Sequence, residues 1–146
     1  MEKLNEIIFY NIDKSIRSYR VFAQKNLRKN GFKITIDQWL VVRCILENPD
    51  ISQQEMGEIV FKDNASITRM IELLVKAKYL VRKPYAKDRR RVKLVVTDEG
   101  VRIINAIQDK AMNNRRKALK GVSDEEMEVV NRVMGRIIDN CREVEA

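Results

Sequence analysis

A mainly helical fold with one β-hairpin is predicted by three observations. Apolar residues recur at the three-and-four spacing of a helix face over most of the 146 residues. Glycine and proline are scarce, 5 and 2 in number, and several of them punctuate the periodic stretches, as at Asn30-Gly31, Asn48-Pro49 and Gly121. Only between Tyr79 and Val96 does the pattern change, to two short β-prone runs, Tyr79–Tyr85 and Val92–Val96, joined by a polar loop from Ala86 to Arg91. About six helices and one hairpin account for the chain.

Leu4, Ile8, Ile12, Ile16, Tyr19, Ala23 and Leu27 lie on one face of a helix expected from Leu4 to about Lys29, ended by Asn30-Gly31. Thr35-Ile36-Asp37-Gln38 fits a capping box that opens a second helix through Trp39 to about Glu47. Trp39 and Cys44 in that helix read as packing residues, because aromatic rings supply core area and a free thiol behaves as a small hydrophobe. Ser52-Gln53-Gln54-Glu55 is a second capping box and starts a short helix to about Val60, with Met56 and Ile59 turned inward. Asp63 or Asn64 caps the next helix, roughly 65–78, whose core face is Ile67, Met70, Ile71 and Leu74. Its other face offers Ser66, Thr68, Arg69 and Glu72.

Two helices, a tight turn and a groove-sized second helix form a helix-turn-helix; with the hairpin directly after it, the arrangement is a winged helix-turn-helix. Pro84 lacks a ladder donor and suits the exit of an edge strand. Beyond the hairpin, Thr97 caps a helix to about Lys120, and Gly121 and Ser123 separate it from a last helix. There Met127, Val130, Met134, Ile137, Cys141 and Val144 alternate steps of three and four, a seam for packing against other helices. The domains read as an N-terminal dimerisation helix (1–34), a winged helix-turn-helix (35–97) and C-terminal dimerisation helices (98–146). Leu4, Ile8, Ile12, Met127, Val130, Met134, Ile137 and Cys141 are the expected dimer contacts; packing of the same seams within one chain is the alternative.

Charge is concentrated in the hairpin. Residues 76–93 hold nine lysines and arginines and one acid, Asp88, so their net charge equals the +8 of the whole protein and the other residues sum to zero. A focused patch of this kind attracts a polyanion, because each neutralised phosphate releases a condensed counterion. Arg69 on the groove-facing side has the fork to pair with guanine, or else to pair with Glu72 on its own helix. Lys87, Arg89 and Arg91 would contact phosphates, fixing register without carrying sequence information.

Other functions find little in the sequence. There is no histidine, and the two cysteines, Cys44 and Cys141, form no CxxC pair, so neither a zinc site nor a disulfide framework is expected. No phosphate-cradling glycine loop or catalytic constellation suggests an enzyme or a cofactor, and no catalytic residue is assigned. No stretch is apolar enough to span a bilayer, and the first residues do not read as a signal peptide, so a cytoplasmic protein is expected. Non-specific or architectural nucleic-acid binding would fit the charge, although few aromatic residues stand near it to stack on bases.

The runs ITIDQW, ISQQEMGEIV and NASITRMIELLVKAKYLVRKPYAKDRRRVKLVVTDEG resemble the MarR family of dimeric bacterial transcription regulators over about Ile34 to Gly100. The resemblance is most specific in Asp88-Arg89-Arg90 followed by Leu94, Thr97 and Gly100; Val96 stands where leucine is commoner. It implies recognition-helix contacts from Asn64, Ala65, Ser66, Thr68 and Arg69, minor-groove insertion of Arg90, and a structural role for Asp88 in bracing the wing. It further implies a homodimer on double-stranded DNA, commonly a repressor, released by a small anionic or aromatic effector. Cys44 does not stand where the peroxide-sensing branch carries its thiol, so no thiol switch is expected.

Overall fold

The computed structural model describes residues 1–143; residues 144–146, among them Val144 of the predicted seam, and the side chain of Arg89 lie outside the description. The order of elements is α1 (Ile8–Lys29), α2 (Ile36–Glu47), α3 (Gln53–Val60), α4 (Asn64–Lys76), β1 (Leu80–Tyr85), β2 (Asp88–Val96), α5 (Asp98–Ala118) and α6 (Asp124–Glu143). This is a mainly α, winged helix-turn-helix fold. The chain divides into two compact units, Met1–Asn114 and Arg115–Ala146, with the boundary inside α5.

The first predicted helix is interrupted near its start. Leu4–Glu6 form a turn of 3₁₀ helix, Ile7 is extended, and α1 begins only at Ile8. Glu6 reaches back to accept the Lys3 amide at 2.9 Å, which closes the short turn on itself and separates it from α1. At α2 the predicted capping box is complete: Thr35 Oγ1 accepts the Gln38 amide at 3.1 Å and Gln38 Oε1 accepts the Thr35 amide at 3.0 Å. At α3 only half of it forms. Ser52 Oγ accepts the Glu55 amide, but the Glu55 carboxylate accepts the Ser52 hydroxyl instead of the backbone amide.

The core of the first unit gathers Leu27, Ile34, Val41, Val42, Ile45, Met56, Ile67, Ile71, Leu74, Leu80, Ile104 and Ile107. Each such side chain contributes about 1.5–3 kcal/mol relative to exposure. Cys44 is buried among them, as expected of a packing residue, and burial pushes its thiol pKa up, away from the reactive thiolate. Trp39 packs against the cluster, partly covered by the Arg43 guanidinium 5.7 Å from its ring centre. The buried polar side chain of Asn114 accepts a hydrogen bond from Asn26 Nδ2 at 3.0 Å, joining α5 to α1.

The inward face of α3 differs from the expectation. Met56 is 1% exposed, whereas Ile59 is 56% exposed; Gly57 and Val60 take the inner positions. The reason is the close turn into α4. Gly57 lies against the Lys62 carbonyl, where a Cβ would come within 2.6 Å of the oxygen, so the face through Gly57 must pack inward and Ile59 turns out. Phe61, left-handed at φ 60°, ends α3.

β1 and β2 pair antiparallel, with Leu80 opposite Val96 and Arg82 opposite Leu94. The second strand is longer than predicted. It begins at Asp88 rather than Val92, so Arg89, Arg90 and Arg91 belong to a strand and only Ala86 and Lys87 form the turn. Val92 pairs with Pro84 and Asp88 with Tyr85, so the three arginines bulge out of the ladder between two paired positions. Pro84 sits within β1 opposite Val92, which a two-stranded ribbon tolerates because both strands are edges.

Thr97 fastens the hairpin to the helices. Its amide donates to the Tyr79 carbonyl at 3.0 Å, its hydroxyl donates to the Lys78 carbonyl at 2.6 Å, and the same oxygen accepts the Gly100 amide at 3.0 Å. α5 starts at that cap and ends at Ala118, slightly short of the expected Lys120. In the second unit, Ser123 and Glu126 exchange hydrogen bonds as a capping box for α6.

Gly100 has no room for a side chain: a Cβ there would lie 2.3 Å from the Tyr79 carbonyl oxygen and 2.8 Å from Val96 Cγ1. Gly100→Ala should therefore separate the hairpin from α5 and lower stability by about 1–3 kcal/mol. Urea unfolding checks this; an unchanged midpoint would mean that the junction is slack.

Candidate nucleic-acid interface

The second helix of the helix-turn-helix, α4, is fixed at its start by Asp63. The carboxylate accepts the Ser66 amide at 2.7 Å, and these bonds, to the backbone first and then the side chain of Ser66, hold the Asp63 pKa below its ordinary 3.8. Of the two cap candidates the structure takes Asp63 and places Asn64 in the first helical position. Burial of Ile67, Ile71 and Leu74 turns the opposite side of α4 outward. Asn64, Ala65 and Arg69 are exposed, and Ser66 and Thr68 are half-buried. The alternative Arg69–Glu72 ion pair does not form among the described residues.

Thr68 is less free than its position suggests. Its hydroxyl donates to the Asn64 carbonyl at 3.0 Å and accepts from Gln53 Nε2, also at 3.0 Å. Gln53 belongs to α3 and entered the sequence reading only as part of a capping motif. A contact between positions 15 residues apart leaves no local signal.

The wing carries its charge outward. Lys87, Arg90 and Arg91 are exposed, and Asp88 Oδ1 accepts the Arg90 amide at 3.0 Å. Sequence reasoning missed an aromatic and acidic clasp at the far end of the first wing strand, next to the hairpin turn. Tyr85 donates its hydroxyl to Asp50, in the turn between α2 and α3, and that bond is the main reason its pKa is raised. The Arg91 guanidinium lies 5.5 Å and the Lys93 ammonium 5.9 Å from the Tyr85 ring centre, and Lys93 Nζ is 3.8 Å from Asp50. One ring therefore orders two cations and ties the wing to the helical body. An Asn-Pro-Asp turn and a strand-end tyrosine are ordinary features in sequence; only the fold brings them together.

A second tie reaches the turn before α4. Asp37 accepts Arg20 at 2.9 Å and lies 3.5 Å from Lys62, so one carboxylate links α1, α2 and the α3–α4 turn. Among the described residues, no group of His, Cys, Asp and Glu is arranged to hold a metal, and no helix is long and apolar enough to cross a membrane.

Of the expected dimer contacts, Leu4, Ile8, Val130, Met134 and Cys141 are exposed in the single chain, and Ile12, Met127 and Ile137 are partly covered.

Comparison with known proteins agrees with this geometry. The MarR family model matches residues 34–92, the segment from just before α2 into β2. The chain is 25% identical over 100 residues to the HTH-type transcriptional regulator MhqR of Bacillus subtilis, 68% of each chain. It is 26% identical over 78 residues to SarZ of Staphylococcus epidermidis, 53% of each chain, so it spans about half to two-thirds of these relatives. Among solved structures, Bordetella bronchiseptica BpsR, described as regulated in its DNA binding by 6-hydroxynicotinic acid, superposes with a TM-score of 0.83. That match covers 95% of this chain and 98% of BpsR at 17% identity, a likeness of fold.

The Asp63 cap has a pH signature. Because its folded pKa is depressed, its contribution is complete above the unfolded value near 3.8 and is lost as pH falls through the lower folded value. Asp63→Asn still caps but does not titrate, so between about pH 5 and pH 2 its unfolding temperature should fall less than the parent's. Parallel curves would show that the carboxylate contributes nothing.

Proposed function

Residues 34–92 make this chain a member of the MarR family of transcriptional regulators, and from that premise we propose that it binds a pseudo-palindromic operator in double-stranded DNA as a homodimer. The observation that carries this reading is the pairing, in one compact unit, of an outward-facing α4 with a strand hairpin that holds most of the chain's excess positive charge. The helix is of a size for the major groove and the hairpin reaches the flanking backbone. Asn64, Ala65, Ser66, Thr68 and Arg69 face base edges; Lys87, Arg89 and Arg91 bind phosphates; Arg90 enters the minor groove; Asp88 shapes the wing.

The dimer is supported by the exposed apolar residues of the terminal helices. In α1 these include Ile8, Phe9, Ile16 and Val21, and in α6 they include Val129, Val130, Val133, Met134 and Ile138. Exposed apolar side chains in such number are where water is displaced by a partner. We assign 1–34 and 98–146 to dimerisation and 35–97 to DNA binding. Two-fold symmetry then sets half-site centres about 34–36 Å apart. Repression of a cytoplasmic target, relieved by a small anionic or aromatic molecule, is the regulatory mode we favour; the ligand-regulated fold of BpsR supports it. A release of this kind requires the ligand to prefer one conformation over the other.

Selection of bound duplexes from a random pool should return an inverted repeat, and sedimentation at micromolar concentration should give a dimer. Arg90→Ala should weaken all duplexes and reduce the salt slope by about 1, whereas Arg69→Ala should cost about 1–3 kcal/mol at one position per half-site. A monomer would remove the palindrome. Equal affinities for selected and scrambled duplexes, falling together with salt, would replace the regulator with an architectural binder.

A further inference from the structure

We infer that Gln53 of α3 sets the base preference of Thr68 in α4, and that the pair reads the major-groove edge of an A·T base pair. The inference rests on the DNA-binding reading above and adds a specificity-determining residue to it.

A threonine hydroxyl has one proton to donate and two positions at which to accept. In Thr68 the proton goes to the Asn64 carbonyl at 3.0 Å, and one accepting position is taken by Gln53 Nε2 at 3.0 Å. What remains for the groove is one accepting position and the Cγ2 methyl. Reversing the Gln53 amide would hand the same proton to its carbonyl oxygen, and the groove would again meet a hydroxyl with nothing to donate. The two bonds also hold the side chain in one rotamer, so the methyl is presented in a fixed direction.

The base edges discriminate sharply against such a group. Guanine offers only acceptors, N7 and O6, in the major groove, and a hydroxyl without a free proton has no bond to make there. Adenine offers its N6 amino group and thymine its C5 methyl, so an A·T pair matches both the remaining acceptor and the methyl. Cytosine N4 would satisfy the acceptor alone. Gln53 is exposed, and Thr68 is half-buried in the second turn of α4, among the residues proposed to face the bases. Gln53 also keeps a second amide proton and its own carbonyl free. Its role is positioning: it leaves affinity for phosphate unaltered and fixes what Thr68 can recognise.

The test compares the full-length parent, Gln53→Ala and Thr68→Ser on duplexes selected by the parent from a random pool. At one position per half-site the parent should require A·T, losing about tenfold affinity when that pair becomes G·C, with a smaller loss when its thymine becomes deoxyuridine. Gln53→Ala removes one of the two bonds that hold the Thr68 rotamer, so the hydroxyl can turn from the Asn64 carbonyl and donate to a base; the variant should keep the parent's unfolding temperature and salt slope but show less than about a threefold difference at that position, with every other preference intact. Thr68→Ser should lose the distinction between thymine and deoxyuridine while still disfavouring G·C. Retention of the full preference by Gln53→Ala, or a uniform loss on every duplex, would overturn the inference while leaving the DNA-binding reading in place. Failure of the parent itself to separate selected from scrambled duplexes would remove that reading, and the inference with it.

Discussion

A helix can hide only one side, and here the side that α4 hides is chosen by Ile67, Ile71 and Leu74. Their burial against α2, α3 and the start of β1 fixes the rotation of the helix about its axis to within a fraction of a turn. Everything proposed for the outer side follows from that rotation. A half-turn error would bring Arg69 inward, where an unpaired guanidinium would be strongly destabilising. Asp63 fixes the other coordinate, the point along the chain at which the helix begins, so that Asn64 and Ala65 stand in its first turn.

The hairpin depends on the same scaffold through a different kind of contact. Leu80 anchors it by burial, but its direction is set by polar bonds: Thr97 to the backbone at Lys78, Tyr79 and Gly100, and Tyr85 to Asp50. A two-stranded ribbon alone in water is at best marginally stable. Tying both its root and its far end to helices gives a strongly cationic strand a defined place, despite the mutual repulsion of Arg90, Arg91 and Lys93. Tyr85 helps by offering its ring face to two of those charges.

Much of this was legible from residue order. Caps at Thr35, Ser52, Asp63, Thr97 and Ser123 announce helix starts because they satisfy orphan amides through side chains only a few positions away, and such bonds need no tertiary context. The charge excess of residues 76–93 and the period of the α4 core face are equally local. The misreadings share a cause. Ile59 was expected inside because it continues an apolar spacing, yet the close approach of Gly57 to Lys62 rotated that face away. Arg89–Arg91 were expected in a loop because they are polar, yet pairing resumes at Asp88 opposite Tyr85, so they form an unpaired bulge inside the strand rather than part of the turn.

Residue order by itself determined the helix count, the position of the hairpin and the concentration of charge on it, since each arises from interactions within a few residues. Tertiary structure alone decided which partners those residues meet: Gln53 with Thr68, Tyr85 with Asp50, Asp37 with both Arg20 and Lys62. These pairs are distant in the chain, and their side chains are common surface types with no period or motif. Their pairing is fixed by where the buried apolar faces place the helices, a property of the whole core rather than of any one segment.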